Sequence, residues 1–221
     1  MIHLQALKGQ IIEIGKRMWT RGYIAANDGN ISVRMSDGSI LITAAGVSKG
    51  FLEPEMILQV DINGKLVHPN SKYLPSSETK MHLEAYKLRS DIKAIVHAHP
   101  PYATSFASSG IPLDQPLLPE SVMTLGKVMI AEFAIPSTDE VPQSISELIK
   151  TSDVMLLSNH GALSAGIDLF SAYNKMEVLE HSAHITFNSM QLGKMNLITE
   201  EKKKILIDLR KKFNFSGRII E

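Results

Sequence analysis

Apolar residues recur at helical spacing from the start of the chain. Leu7, Ile11, Ile14 and Met18 fall on one side of a helix drawn over 3–21, which predicts an amphipathic helix with a core-facing stripe. Asn27, Asp28 and Gly29 then carry turn chemistry. Two short strand-like runs, 31–34 and 39–43, flank Asp37-Gly38, a dipeptide suited to a hairpin. A third strand is expected over 56–61, closed by Asn63-Gly64. Met81, Ala85 and Leu88 mark a helix over 77–90, and Ser76 or Ser77 can cap its start. The apolar run 94–99 reads as a strand stopped by Pro100-Pro101, followed by a short helix over 102–109. Strands over 128–134 and 154–158 and helices over 169–192 and 200–213 complete the pattern. The segment 110–126 holds three prolines and no clear period, and irregular connections of that length are often functional.

Strands joined by tight turns pair antiparallel, and the intervening helices need a sheet face to cover. The expectation is an α/β fold with a mixed, mostly antiparallel sheet. No shift in composition divides the chain, so 1–221 reads as a single domain.

Charge narrows the function. Lysine plus arginine number 23 and aspartate plus glutamate 23, so the 221-residue chain is formally neutral and lacks the electrostatic footprint of a nucleic-acid binder. The basic run Lys202-Lys203-Lys204 is interrupted by acidic neighbours and reads as a solvated helix face. No stretch approaches the ~20 apolar residues of a membrane span. The first residues lack the pattern of a secretion signal, so the cytoplasm is expected. With no cysteine, any transition metal must be held by histidine and carboxylate.

Histidines supply the strongest chemical signal. On a strand, His97 and His99 point to the same face, side by side and close enough to share one ion. A second apolar strand ends in Asn159-His160-Gly161, which places a third imidazole beside a glycine that permits close approach. Three histidines leave a coordination position open, the pattern of catalytic zinc. Pro75-Ser76-Ser77-Glu78 puts two hydroxyls at a helix start, where anions are favoured, although a plain capping box has the same look. Asn27-Asp28-Gly29-Asn30 and Thr43-Ala44-Ala45-Gly46 can offer backbone N–H groups to phosphate, but each also reads as an ordinary turn. Glu177, Glu180, His181 and His184 share a helix and read as a polar face. Gly161 to Gly166 resembles a nucleotide loop but lacks its lysine and glycine spacing.

Taken in order, Asp28-Gly-Asn-Ile-Ser-Val-Arg34, Pro75-Ser-Ser-Glu78, Val96-His-Ala-His99 and Asn159-His-Gly-Ala-Leu163 form a specific signature over nearly the whole chain. It resembles the class II aldolase/adducin family. The resemblance implies a three-layer α/β/α sandwich assembled as a four-fold homotetramer. It implies one zinc per chain, replaceable by manganese or cobalt, on His97, His99 and His160. Glu78 would bind the resting metal and then act as acid/base, while Asn30, Gly46, Ser76 and Ser77 would hold a phosphate. The implied reaction is cleavage of a ketose 1-phosphate, such as L-fuculose 1-phosphate, to dihydroxyacetone phosphate and an aldehyde. The alternatives are a related epimerase, dehydratase or decarboxylase, or a non-catalytic adducin-like binding protein. The family's epimerases usually carry aspartate at the position of Glu78, which tilts the reading toward aldolase. Ala45 replaces a phosphate-binding hydroxyl, with Asp28 nearby and Lys49 to compensate. The proton-donating tyrosine of the family's aldolase is missing from 117–123, where Glu120 is the ionisable residue, and its tail tyrosine is missing near Phe215 or Ser216.

Overall fold

The computed structural model describes residues 2–69 and 72–221. Seven strands form one sheet: β1 (Asn30–Arg34), β2 (Ile40–Thr43), β3 (Ile57–Val60), β4 (Ala94–Ala98), β5 (Ile130–Ala131), β6 (Val154–Leu157) and β7 (Gly161–Gly166). Their order is β3-β2-β1-β4-β7-β6-β5, and β5 with β6 is the parallel pair in an otherwise antiparallel sheet. The helices are α1 (Ile2–Thr20), α2 (Thr79–Leu88), α3 (Pro101–Ser109), α4 (Pro119–Thr124), α5 (Glu140–Thr151), α6 (Leu169–Gln191) and α7 (Glu200–Lys212).

Strand alternation splits the core in two. Ile31, Val33, Leu41, Val96 and Leu156 pack with Ile11, Ile14 and Met18 of α1, Phe106 of α3 and Met176 and Leu179 of α6. Ile40, Ile42, Ile95, Met155 and Leu163 pack on the opposite face with Met81 and Ala85 of α2 and Ile145 and Ile149 of α5. Each such side chain, fully buried, contributes about 1.5–3 kcal/mol, so both faces must be covered. The result is the expected three-layer α/β/α arrangement.

Three local expectations are corrected. Gly161 to Gly166 is no loop but a fully buried strand between β4 and β6. Its small residues carry little strand propensity; they let α6 lie close, since a Cβ on Gly166 would come within 2.5 Å of the Ala172 nitrogen. The irregular segment contains α4, and α5 was not read from its Val141, Ile145, Ile149 spacing. Helix α2 starts at Thr79, and neither serine side chain caps it; Ser76 Oγ accepts from the Glu78 N–H one turn earlier, at 3.3 Å.

Among the described residues no helix is long and apolar enough to cross a membrane. On α6, the polar residues make tertiary contacts, and Glu180 is buried. Glu180 accepts from the Tyr102 and Ala103 N–H groups at the start of α3, Glu177 pairs with Arg21, and His184 stacks on Tyr102.

Candidate metal centre

Sheet topology brings the signature residues to one end of the three central strands. Because β1 and β7 run antiparallel to β4, the end of β4 meets both of their starts. Asn30 sits opposite His97 in register, and the turn between β6 and β7 delivers His160 to the same place. His97 shares the strand face of Ile95, toward α2, and Glu78 immediately precedes that helix. Asn159 takes a left-handed conformation, with φ of 54°, to turn His160 inward; asparagine tolerates this better than most residues.

The three imidazoles form a nearly equilateral triangle with ring centroids 4.8, 4.9 and 5.0 Å apart. One ligand atom from each lies within 4.8 Å of the others, so the group can hold a metal ion. His97 is fully buried; its Nδ1 lies 2.9 Å from the Ala162 carbonyl, which takes that N–H and leaves Nε2 for the centre. Glu78 spans the triangle, with Oε2 3.1 Å from His97 Nε2 and Oε1 3.2 Å from His160 Nε2. Yet Oε1 is buried and has no hydrogen-bond partner. A buried carboxylate oxygen left so, among three imidazoles, fits a divalent ion.

Glycine at 161 is a packing requirement. A Cβ there would come within 2.5 Å of the Ala98 carbonyl and 2.6 Å of the His99 ring. Gly161→Ala is expected to cost about 1–3 kcal/mol by overpacking. The corresponding fall in melting temperature is about 2–4 °C per kcal/mol in a chain of this size. Calorimetry checks this, and an unchanged melting temperature would refute the close contact.

Ionisation in the metal-free centre is uneven. Burial pushes the Glu78 carboxyl up, but the charge and hydrogen bond of His97, aided by His160 and Asn30, outweigh it and hold the group well below the usual range. Burial lowers His97, and the neighbouring Glu78 more than reverses this, so its pKa is raised. Burial and the charge of the other two rings bring His99 down to about 4, and burial and His97 lower His160. Of the three rings, His97 is thus the one whose protonated form the site favours. A metal must displace that proton, so affinity should rise with pH through the raised His97 range, and loading near neutral pH should release a proton. Titration calorimetry in two buffers of different ionisation enthalpy should give different apparent heats; equal heats would contradict the assignment.

The other expected site residues also converge. Asn30, Gly46, Ser76, Ser77 and Glu78 line one open cleft of about 580 Å³ with His99 and His160, and His97 lies buried beside it. Asn30 is more engaged than a phosphate ligand would be, because its amide already contacts Glu78 and His82. Asp28 points at His99, with Oδ2 3.5 Å from Nδ1, so its carboxylate can orient that ring. Lys49 is buried beneath the cleft and donates to the carbonyls of Asn27 at 2.5 Å and Val47 at 2.8 Å. Burial lowers its pKa to about 8. Glu120 lies elsewhere, in a groove with Arg21, Glu177 and His181. His82 was not foreseen as part of the site; its four-residue spacing from Glu78 was the available signal.

Residues 9–187 match the family model described as Class II Aldolase and Adducin N-terminal domain. The chain belongs to that family. This class II aldolase-family chain is 32% identical over 206 residues to a 3-oxo-tetronate 4-phosphate decarboxylase from Haemophilus influenzae, covering 91% of this chain and 96% of the relative. It is 35% identical over 182 residues to an L-fuculose phosphate aldolase from Methanococcus maripaludis, covering 80% and 94%. A solved L-fuculose 1-phosphate aldolase superposes with a TM-score of 0.86 at 30% identity, covering 95% of this chain and 97% of that one. Class II aldolase-family relatives thus include two reactions that break a carbon–carbon bond.

Proposed function

We propose that this chain is a divalent-metal lyase that cleaves a ketose 1-phosphate into dihydroxyacetone phosphate and an aldehyde. The observation that carries the reading is the triangle of His97, His99 and His160 closed by a half-buried, ionised Glu78. Zinc suits the donor set, with manganese or cobalt as substitutes, and such an ion would withdraw the electron pair freed when the carbon–carbon bond breaks. His97 and His99 would hold it from β4 and His160 from the β6–β7 turn. Glu78 would take up and return the proton at the carbon of the dihydroxyacetone phosphate fragment. Ser76, Ser77 and the backbone at Gly46 would bind the phosphate, with the buried Lys49 charge compensating for the hydroxyl missing at Ala45. The same reading makes 1–221 one catalytic domain of a cytoplasmic homotetramer.

Decarboxylation of a 3-oxo acid 4-phosphate is the second reading. It is supported by the Haemophilus influenzae relative and by the lack of a tyrosine over 117–123, where the family resemblance places the aldolase's proton-donating tyrosine. Both reactions leave an electron pair beside a carbonyl, so the same ligands serve either.

Product analysis separates them. Zinc-loaded protein is offered L-fuculose 1-phosphate and, separately, a 3-oxo-tetronate 4-phosphate, and the products are followed by phosphorus and carbon NMR. Dihydroxyacetone phosphate from the first supports aldol cleavage. Carbon dioxide from the second alone moves the assignment to decarboxylase. Rearranged but unbroken substrate would sink both.

A further inference from the structure

Behind Glu78 the layer between sheet and helix is polar where an apolar core is expected. Asn30, Ser32 and Arg34 alternate along β1 and face α2, while Ile31 and Val33 face the other core. Opposite them stand Glu78, His82 and Tyr86, four residues apart. Two strand residues rise about 6.7 Å and four helical residues about 6 Å, so the two stripes stay in step for three rungs.

The rungs are joined by hydrogen bonds. Asn30 Nδ2 lies 2.7 Å from Glu78 Oε2, and His82 Nε2 lies 2.5 Å from Asn30 Oδ1. His82 Nδ1 lies 2.6 Å from Ser32 Oγ, which lies 2.8 Å from the Tyr86 hydroxyl. Asn30, Ser32, His82 and Tyr86 are all buried. Arg34 closes the far end, over the Tyr86 ring and donating to the Tyr86 carbonyl.

With Glu78 ionised and the His82 ring neutral, donor and acceptor chemistry gives each link a direction. An ionised carboxylate only accepts, so Asn30 must present its NH₂ to Glu78 and its oxygen to His82. That oxygen only accepts, so His82 must carry a proton on Nε2. Burial, then the charge of nearby His97, brings the His82 pKa down to about 3, which favours a neutral ring with Nδ1 bare. Ser32 therefore donates to Nδ1 and accepts from Tyr86. Such a chain has one arrangement, and a buried network satisfied throughout specifies geometry more strongly than its separate bonds.

We propose that His82 is a positioning residue: through Asn30 it anchors Glu78 by Oε2 and leaves Oε1 as the oxygen that serves the metal and the proton. The inference rests on the proposed role of Glu78, and its unmet Oε1 is the observation that fits.

Two measurements test it. Long-range proton–nitrogen correlation of histidine-labelled, metal-free wild-type protein near neutral pH reads the tautomer without substrate or metal, so it stands even if the lyase reading fails. The expected result is a neutral His82 ring protonated on Nε2. A proton on Nδ1, or on both nitrogens, would overturn the chain. Next, His82→Leu and His82→Gln are compared on whichever substrate is turned over. Glutamine can return an N–H donor toward Asn30; leucine cannot. His82→Leu should lower kcat about 10–100-fold with KM changed less than about threefold, the usual loss when a residue that orients a metal-site side chain is removed, and His82→Gln should recover most of it. The cobalt-loaded leucine variant should also show an altered visible spectrum. Wild-type kcat and spectrum in His82→Leu, or equal losses of kcat, KM and melting temperature in both variants, would overturn the positioning role. If His82→Leu does not fold, the wild-type tautomer decides.

Discussion

His97→Ala is expected to abolish turnover, by about 10³-fold or more. Losing the metal removes several kcal/mol of transition-state stabilisation, and each decade of rate corresponds to 1.36 kcal/mol. His97 is the most buried of the three ligands and bridges the Ala162 carbonyl and Glu78, so its loss also leaves that carboxylate without its strongest partner. Breaking a buried pair on one side costs about 3–5 kcal/mol. His160→Ala separates the two effects, because His160 is partly exposed and its removal leaves the His97–Glu78 pair intact. Both variants should lose activity, and His97→Ala should melt at the lower temperature. Steady-state assays with circular-dichroism melts check this; an active His97→Ala protein would remove it from the centre.

Glu78→Gln should give a different signature. The amide is nearly isosteric but cannot exchange a proton at neutral pH, so kcat should fall about 10²–10⁴-fold, the usual worth of a general acid–base group. Metal should still bind through the three imidazoles. Linkage supplies a second readout. Glu78 is what raises the His97 pKa, so without it burial should lower that pKa and His97 should be neutral before the metal arrives. Buffer-dependent calorimetry should then show proton release shrinking toward zero. Wild-type kcat in this variant would assign the acid–base role elsewhere, and unchanged proton release would place the displaced proton on another group.

Much of this site was legible in the chain, because its signals are local. The His97–His99 spacing reads through strand geometry, and Asn159-His160-Gly161 through the abrupt end of an apolar run. The mixed, mostly antiparallel sheet followed from strands joined by tight turns, and the three-layer arrangement from the family resemblance. Other features depended on contacts distant in sequence. β7 escaped because Gly161, Ala162, Ser164, Ala165 and Gly166 are strand residues through pairing on both edges and close helix packing, not through propensity. Ser76 and Ser77 suggested a helix cap, yet the helix begins later so that Glu78 can turn into the cleft. The direction of Asp28 and the burial of Lys49 depend on how the 27–30 and 43–49 loops meet. His82 and Tyr86 lie four and eight residues after Glu78 in plain view, but their partners are on β1, and the apolar stripe at Met81 and Ala85 marks the helix more loudly.

The most direct test of the account is the metal content of the protein itself. Elemental analysis is made on the purified chain, on the chain after dialysis against a chelator, and on the dialysed chain after zinc is returned. The account predicts about one zinc per chain, lost on chelation together with carbon–carbon bond cleavage, and both restored in proportion on reloading. A protein that neither holds nor regains a divalent ion, or that turns over equally well without one, would contradict the account at its centre.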